Sequence, residues 1–161
     1  MTSETSATER RAKRRLTLDV RDSMRELSIQ LDLLNHQVSQ RLDMRDVDLD
    51  CLDLIGRHGP LGASALARLA GLHPATMTGV LDRLEKGGWI VRERSAEDRR
   101  AIVVRAAKER GAEIYQLYSG MNASMESLLD GYSERDLRVI ADFLTRAREA
   151  GVAATGELAR D

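Results

Sequence analysis

Apolar residues recur along the first third of the chain at spacings of three and four: Val20, Met24, Leu27, Leu31, Leu34, Val38 and Leu42. That period puts them on one stripe of an α-helix from about Leu16 to Leu42, roughly seven turns long. A helix of that length exceeds what a small domain needs to cover its own core, so it is expected to pack against another chain. Asp46 to Arg57 reads as a second helix anchored by Val47, Leu52 and Ile55. Partial alternation from Val47 to Leu54 would also allow a strand, but Asp is poor in strands and favours first turns of helices. Gly59-Pro60 stops this element. Gly62 to Ala70 forms a short helix with Leu66 and Leu69 expected inward, and Gly71 closes it. Pro74 opens a further helix to Lys86, with Met77, Val80, Leu81 and Leu84 as its buried stripe and Gly87-Gly88 as its stop.

The period then changes. Trp89–Arg92 and Ile102–Val104 are β-rich, and a charged loop from Arg94 to Arg100 joins them, so they read as a hairpin. Helical spacing returns after Ala106 through Ile114, Leu117, Met121, Met125 and Leu128. Ser133 and Asp136 resemble a capping box that opens a last helix through Leu137, Ile140, Leu144 and Ala147. The chain after Gly151 is expected to fray.

Two short helices joined by a tight Gly-containing turn and followed directly by a hairpin form a winged helix-turn-helix. The fold class is mainly α with a small β-hairpin wing and long flanking dimerisation helices. A B-DNA major groove about 12 Å wide admits one helix. Such a helix needs a buried stripe on one side and small or hydrogen-bonding residues on the other. The outward face of the Pro74–Lys86 helix offers Ala75, Thr76, Thr78, Gly79, Asp82, Arg83 and Lys86. Thr76 and Thr78 suit base edges or phosphate, Ala75 and Gly79 allow close approach, and Arg83 and Lys86 suit phosphate. Ser64, near the start of the preceding helix, is a further phosphate donor. Arg94, Arg99 and Arg100 at the hairpin tip suit a minor groove, and Asp98 beside them would have to fix an arginine rather than face phosphate.

Charge supports this placement. The 161 residues carry a net −1, but residues 1–56, 57–105 and 106–161 carry −2, +4 and −3. A basic middle between acidic flanks is expected of a DNA-reading module on a scaffold that does not touch DNA. Arg10, Arg11, Lys13, Arg14 and Arg15 form a second basic cluster, read as a solvated helix start or tail, with an arm on phosphate as the alternative. With 42% apolar and 32% charged residues the composition is that of a globular protein. No apolar run approaches membrane-spanning length and no signal-like segment opens the chain, so a cytoplasmic protein is expected. The single Cys51 excludes an intrachain disulfide, and its apolar, acid-flanked setting marks it as a buried structural thiol rather than a redox sensor. His36, His58 and His73 are scattered, and Asp46, Asp48, Asp50 and Asp53 lack the Gly and closing Glu of a calcium loop and read as a solvated helix face. No metal or cofactor is expected. No Gly-rich phosphate loop or Gly-x-Ser-x-Gly elbow suggests an enzyme.

The run LARLAGLHPATMTGVLDRLEKGGWIVRERSAEDRRAIVV resembles the MarR family of bacterial transcriptional regulators. Helix, turn, helix, glycine, strand and an Asp-x-Arg wing, here Asp98-Arg99-Arg100, fall in that family's order, and the likeness covers roughly residues 18–150. The resemblance implies that Arg100 enters the minor groove, that Asp98 buttresses the wing, and that Leu84, Gly88 and Arg92 sit around the turn into the wing. One stretch departs: Arg105–Gly111 lacks the family's Leu-Thr pair and reads one residue longer. The organisation expected is a flexible basic N-terminal tail (1–15), a dimerisation helix (16–43), a winged helix-turn-helix DNA-binding domain (44–106), C-terminal dimerisation helices (107–155) and a tail (156–161). The function expected is a sequence-specific DNA-binding regulator acting as a homodimer on a palindromic operator, and a repressor released by a small-molecule effector. Met24, His36, Tyr115 and Tyr118 are the candidate neighbours of an effector cleft. The rival reading is a winged-helix interaction module that does not bind DNA.

Overall fold

The computed structural model describes residues 2–158. Their order is α1 (Thr2–Arg41), α2 (Asp46–His58), α3 (Ala63–Ala70), α4 (Pro74–Lys86), β1 (Ile90–Arg94), β2 (Ile102–Ala106), a 3-10 turn (Lys108–Arg110), α5 (Gly111–Asp130) and α6 (Glu134–Leu158). The chain divides into two compact units, residues 1–49 and 50–161.

In the first unit α1 departs from the expected tail. It is helical from Thr2, so the basic cluster at Arg10–Arg15 lies on helix. The physical reason is the absence of breakers: no Gly or Pro occurs before Gly56. Leu16, Val20, Met24, Leu27 and Leu31 of the main stripe are exposed, and burial begins only at Val38 and Ser39. Leu18, Ile29 and Leu33 form a second exposed apolar line on α1. Asp46 anchors the join to α2: its carboxylate accepts from Ser39 Oγ and lies 2.9 Å from His36 Nδ1. Asp48 is buried, so the acidic run opening α2 is not the uniformly solvated face expected of it.

In the second unit the core is built from α2, α3, α4 and the hairpin. Cys51, Ile55, Leu66, Met77, Val80, Leu84 and Ile90 are each at most 2% exposed. α2 is helical throughout, which settles the strand alternative. Gly71 ends α3 at φ 64°, and the Leu72 N–H donates back to Ala67 O at 2.9 Å. Leu69 is exposed and Ala67 is buried, a correction to the expected inward pair. Successive helical residues turn by about 100°, so a buried arc centred on Leu66 and Ala67 leaves Leu69 outside it. Pro74 occupies the first position of α4, and His73 Nδ1 accepts the Ala75 N–H at 3.2 Å.

β1 and β2 pair antiparallel from Ile90 opposite Ala106 to Arg94 opposite Ile102. Both strands run two residues beyond the segments read from the sequence. Leu61 adds a bridge to Val104 through reciprocal backbone bonds of 3.1 and 2.8 Å. α5 and α6 hold no fully buried residue. Ser133 Oγ donates to Asp136 at 2.6 Å and accepts its N–H at 3.3 Å, which caps α6 as the spacing implied. α6 runs to Leu158, so the chain after Gly151 does not fray as expected and residues 156–158 of the expected tail are helical; 159–161 lie outside the described residues.

Candidate nucleic-acid interface

α4 buries one side and leaves the other open. Met77, Val80, Leu81 and Leu84 face the core, whereas Ala75, Thr76, Thr78 and Lys86 are exposed, and Gly79 and Arg83 are half-buried. Thr78 Oγ1 donates to Pro74 O at 3.2 Å, so its hydroxyl hydrogen is held by the helix while its lone pairs remain available to accept. Arg83 folds back along the helix: a Cβ at Gly79 would lie 3.3 Å from its guanidinium. Ser64 is exposed on α3, and Arg68, four residues later and also exposed, shares its face. Arg68 was not singled out in the sequence, although its spacing from Ser64 was there to read.

The wing tip is a compact turn. Ser95 N–H donates to Ala101 O at 2.9 Å, and Ala101 N–H donates to Asp98 O at 2.9 Å. Ser95 Oγ accepts the backbone N–H groups of Glu97 and Asp98 at 3.2 and 3.3 Å. Asp98 accepts the Arg100 N–H at 2.9 Å, so its carboxylate holds the backbone of the loop. Arg94 reaches Arg99 O at 3.4 Å. Arg94, Arg99 and Arg100 are exposed together on this turn.

Three contacts missed by sequence reasoning fasten the wing to α4. Arg92 spans Asp82 at 2.6 Å and Glu85 at 2.9 Å, so Asp82 serves β1 rather than the open face of α4. Gly87 makes room for the buried Trp89: a Cβ there would meet ring atoms at 2.6 and 2.8 Å. Arg110 stacks its guanidinium 3.4 Å from the Trp89 ring centroid, donates to Gly87 O and grips Glu113 at 2.8–2.9 Å. The Glu113 hydrogen bond pushes the Arg110 pKa up, and the same bond holds the Glu113 carboxyl below its ordinary range.

These contacts shape the field over the interface. Asp82 and Glu85 share the single charge of Arg92, Glu93 pairs with Arg105 at 3.6 Å, and the Asp98 carboxylate accepts a backbone N–H. Lys86 on α4 and Arg94, Arg99 and Arg100 on the wing are exposed cations, and Glu97 and Asp98 share the wing turn with the last three.

The four cleft candidates are placed as follows. Met24 and His36 lie twelve residues apart on α1, about 18 Å along its axis, and do not form one compact site within the first unit. His36 is engaged with Asp46 at 2.9 Å. Ser39 first and His36 second hold the Asp46 carboxyl below its ordinary range. In the second unit Tyr115 is exposed and Tyr118, three residues on, is half-buried. Burial first, then Asp53 and Asp50, pushes the Tyr118 hydroxyl pKa up. Cys51 is fully buried, in keeping with a structural thiol. Among the described residues no three His, Cys, Asp or Glu side chains are grouped to hold a metal, and no helix is long and apolar enough to cross a membrane.

A short helix, a tight turn, a second helix with one open face and a hairpin capped by arginines define a winged helix-turn-helix protein. Residues 46–102 match the MarR family. An uncharacterized HTH-type transcriptional regulator of Bacillus subtilis, YcgE, is 30% identical over 125 residues, covering 78% of this chain and 81% of the relative. The chain belongs to the MarR family and is a transcriptional regulator. The crystal structure of MarR superposes with a TM-score of 0.56 at 27% identity, covering 81% of this chain and 91% of that one. That of Streptococcus pneumoniae FabT in complex with DNA superposes with a TM-score of 0.57 at 25% identity, covering 83% and 97%.

Proposed function

We propose that the protein binds DNA sequence-specifically as a homodimer, with α4 in the major groove and the wing against the minor groove. The observation that carries this reading is the pairing of an open α4 face with an adjacent turn that exposes Arg94, Arg99 and Arg100 together and is held in shape by Asp98. Thr76 and Thr78 present hydroxyls and methyls to base edges. Ala75 and Gly79 keep the helix surface low. Ser64, Arg83 and Lys86 serve phosphate, and Arg94, Arg99 and Arg100 serve the groove beyond, with Asp98 fixing their turn. The solved FabT complex with DNA supports the same use of the fold.

The homodimer rests on unpartnered apolar surface. Leu16 and Leu27 on α1, Leu128 on α5 and Val139 and Phe143 on α6 are each more than 40% exposed in the single chain. Fully burying one such side chain stabilises by about 1.5–3 kcal/mol, so a second copy is the economical cover. Twofold symmetry then sets two α4 helices about 34 Å apart and asks for a palindromic operator. A dimer seated on a promoter excludes other proteins from it, which favours repression. Release by a small-molecule effector rests on the family resemblance, with Tyr115 and Tyr118 its nearest support within the second unit.

Selection from random duplexes with the purified full-length protein tests this reading. The expected product is a motif with two inverted half-sites about one helical turn apart. Recovery of no motif, with affinity equal across sequences, would refute sequence-specific binding.

A further inference from the structure

We propose that Arg110 is a positioning residue that sets the angle between α4 and the wing, and so the register in which the two meet DNA. The inference rests on the DNA-binding reading and adds a residue that has no place in the interface itself.

The joint between α4 and β1 is Gly87-Gly88, at φ −75° and +71°. Two residues without side chains leave this joint little torsional restraint of its own. Backbone bonds hold it from the inside: Gly87 N–H to Arg83 O and Trp89 N–H to Leu84 O, both 2.9 Å. Arg110 holds it from the outside. Its Nη1 donates to Gly87 O, a carbonyl at the negative end of α4, where a cation is favoured. Its guanidinium plane covers the Trp89 ring at 3.4 Å, and Trp89 is the first residue after the joint. Glu113 fixes the same guanidinium through Nε and Nη2. One side chain thus touches the residue on each side of Gly88 and is itself tied to the first turn of α5.

An ordinary exposed Arg–Glu pair at i,i+3 is weak and would position nothing. Arg110 differs by its two contacts 21 and 23 residues back in the chain, both at the joint. It lies in the stretch Arg105–Gly111 that departs from the family pattern, and the 3-10 turn Lys108–Arg110 aims it. A shift of the first turn of α5 would therefore reach the wing through this side chain.

The test uses the full-length protein and the duplex recovered by selection. Trp89 is the sole tryptophan of the chain, so its emission reports on the stack directly. Arg110→Gln should change Trp89 emission and weaken DNA binding by about twofold to thirtyfold, the range of couplings carried through packed contacts. The slope of log affinity against log salt should stay as in the parent, because no phosphate contact is lost. Arg110→Lys should recover part of the affinity, and Glu113→Gln should weaken binding less than Arg110→Gln while leaving the ring covered. If Arg110→Gln does not fold, Arg110→Lys, which removes the planar guanidinium from the Trp89 ring, carries the test through the same three readings. Parental affinity in a folded variant with altered emission would overturn the proposal. So would a salt slope reduced by about one unit, because Arg110 would then touch DNA itself. Failure of the parent to select any duplex would refute the DNA-binding reading instead, and the proposal with it.

Discussion

Gly87→Ala separates two opposing physical effects at one atom. The backbone of Gly87 sits at φ −75°, ψ −5°, a conformation open to any residue. On conformational grounds alone, alanine would stabilise the protein by about 0.4–1 kcal/mol by restricting the unfolded chain. The neighbourhood reverses that sign. The added Cβ would lie 2.6 Å from Trp89 Cδ1 and 2.8 Å from Nε1, inside the distance any real Cβ tolerates. The ring has little room to retreat, since it is 5% exposed and covered by Arg110 on one face. Forcing a methyl into such packing costs about 1–3 kcal/mol, so the net is a loss of roughly 1–2 kcal/mol. Urea unfolding at fixed protomer concentration, followed by Trp89 emission, reads it as a lower midpoint at unchanged slope. Gly56→Ala is the control: Gly56 lies in α2 with open space around its Cβ position, and the change should stabilise by about 0.5–1 kcal/mol. A Gly87→Ala protein as stable as the parent would show that Trp89 is not packed against this joint.

Further outcomes follow from the same structure. Leu27→Glu with Leu31→Glu should leave the protomer folded while sedimentation falls from twice 17.9 kDa toward 17.9 kDa; a dimer that persists would remove α1 from the interface. Cys51→Ala should leave the response of DNA binding to peroxide unchanged, because the thiol is wholly buried; loss of a parental peroxide response in the variant would make Cys51 a sensor. Asp46 and Glu113 have depressed carboxyl pKa values when folded, so their stabilisation is present above the ordinary carboxylate range and is lost as pH falls through the folded values. The unfolding midpoint should hold from pH 7 to about pH 5 and then fall, less steeply in Asp46→Asn with Glu113→Gln; an equal fall in parent and variant would refute the assignment.

The reading module was legible because its boundaries are written in local chemistry. Pro74 and Gly87-Gly88 bracket α4, the spacing of Met77, Val80, Leu81 and Leu84 names its buried side, and the switch to β-branched residues marks the hairpin. The unpartnered stripes on α1, α5 and α6 were equally plain. The N-terminal segment is helical from Thr2 rather than a flexible tail, because no Gly or Pro interrupts it and its charged residues are compatible with helix. The resemblance put Arg92 at the turn into the wing, but its partners, the burial of Asp48 and the contacts of Arg110 could not be read from the sequence, since they depend on groups brought near only by folding. Arg92 meets residues seven and ten positions back across the Gly-Gly turn, and Arg110 meets Gly87 across the whole hairpin. The unusual Arg105–Gly111 stretch marked the location of the second, not its chemistry.

The central claim is that wing and α4 read DNA in different grooves. Affinity against salt for Arg100→Ala and Thr78→Gln, on the selected operator and its single-base variants, tests it most directly. Arg100→Ala should weaken binding to all duplexes alike and lower the log–log salt slope by about one unit per lost ionic contact. Thr78→Gln should keep the slope and change which half-site base is preferred, at roughly 1–3 kcal/mol per disrupted base contact. Parental affinity, slope and sequence preference in both variants would contradict the account and move the protein to the interaction-module reading.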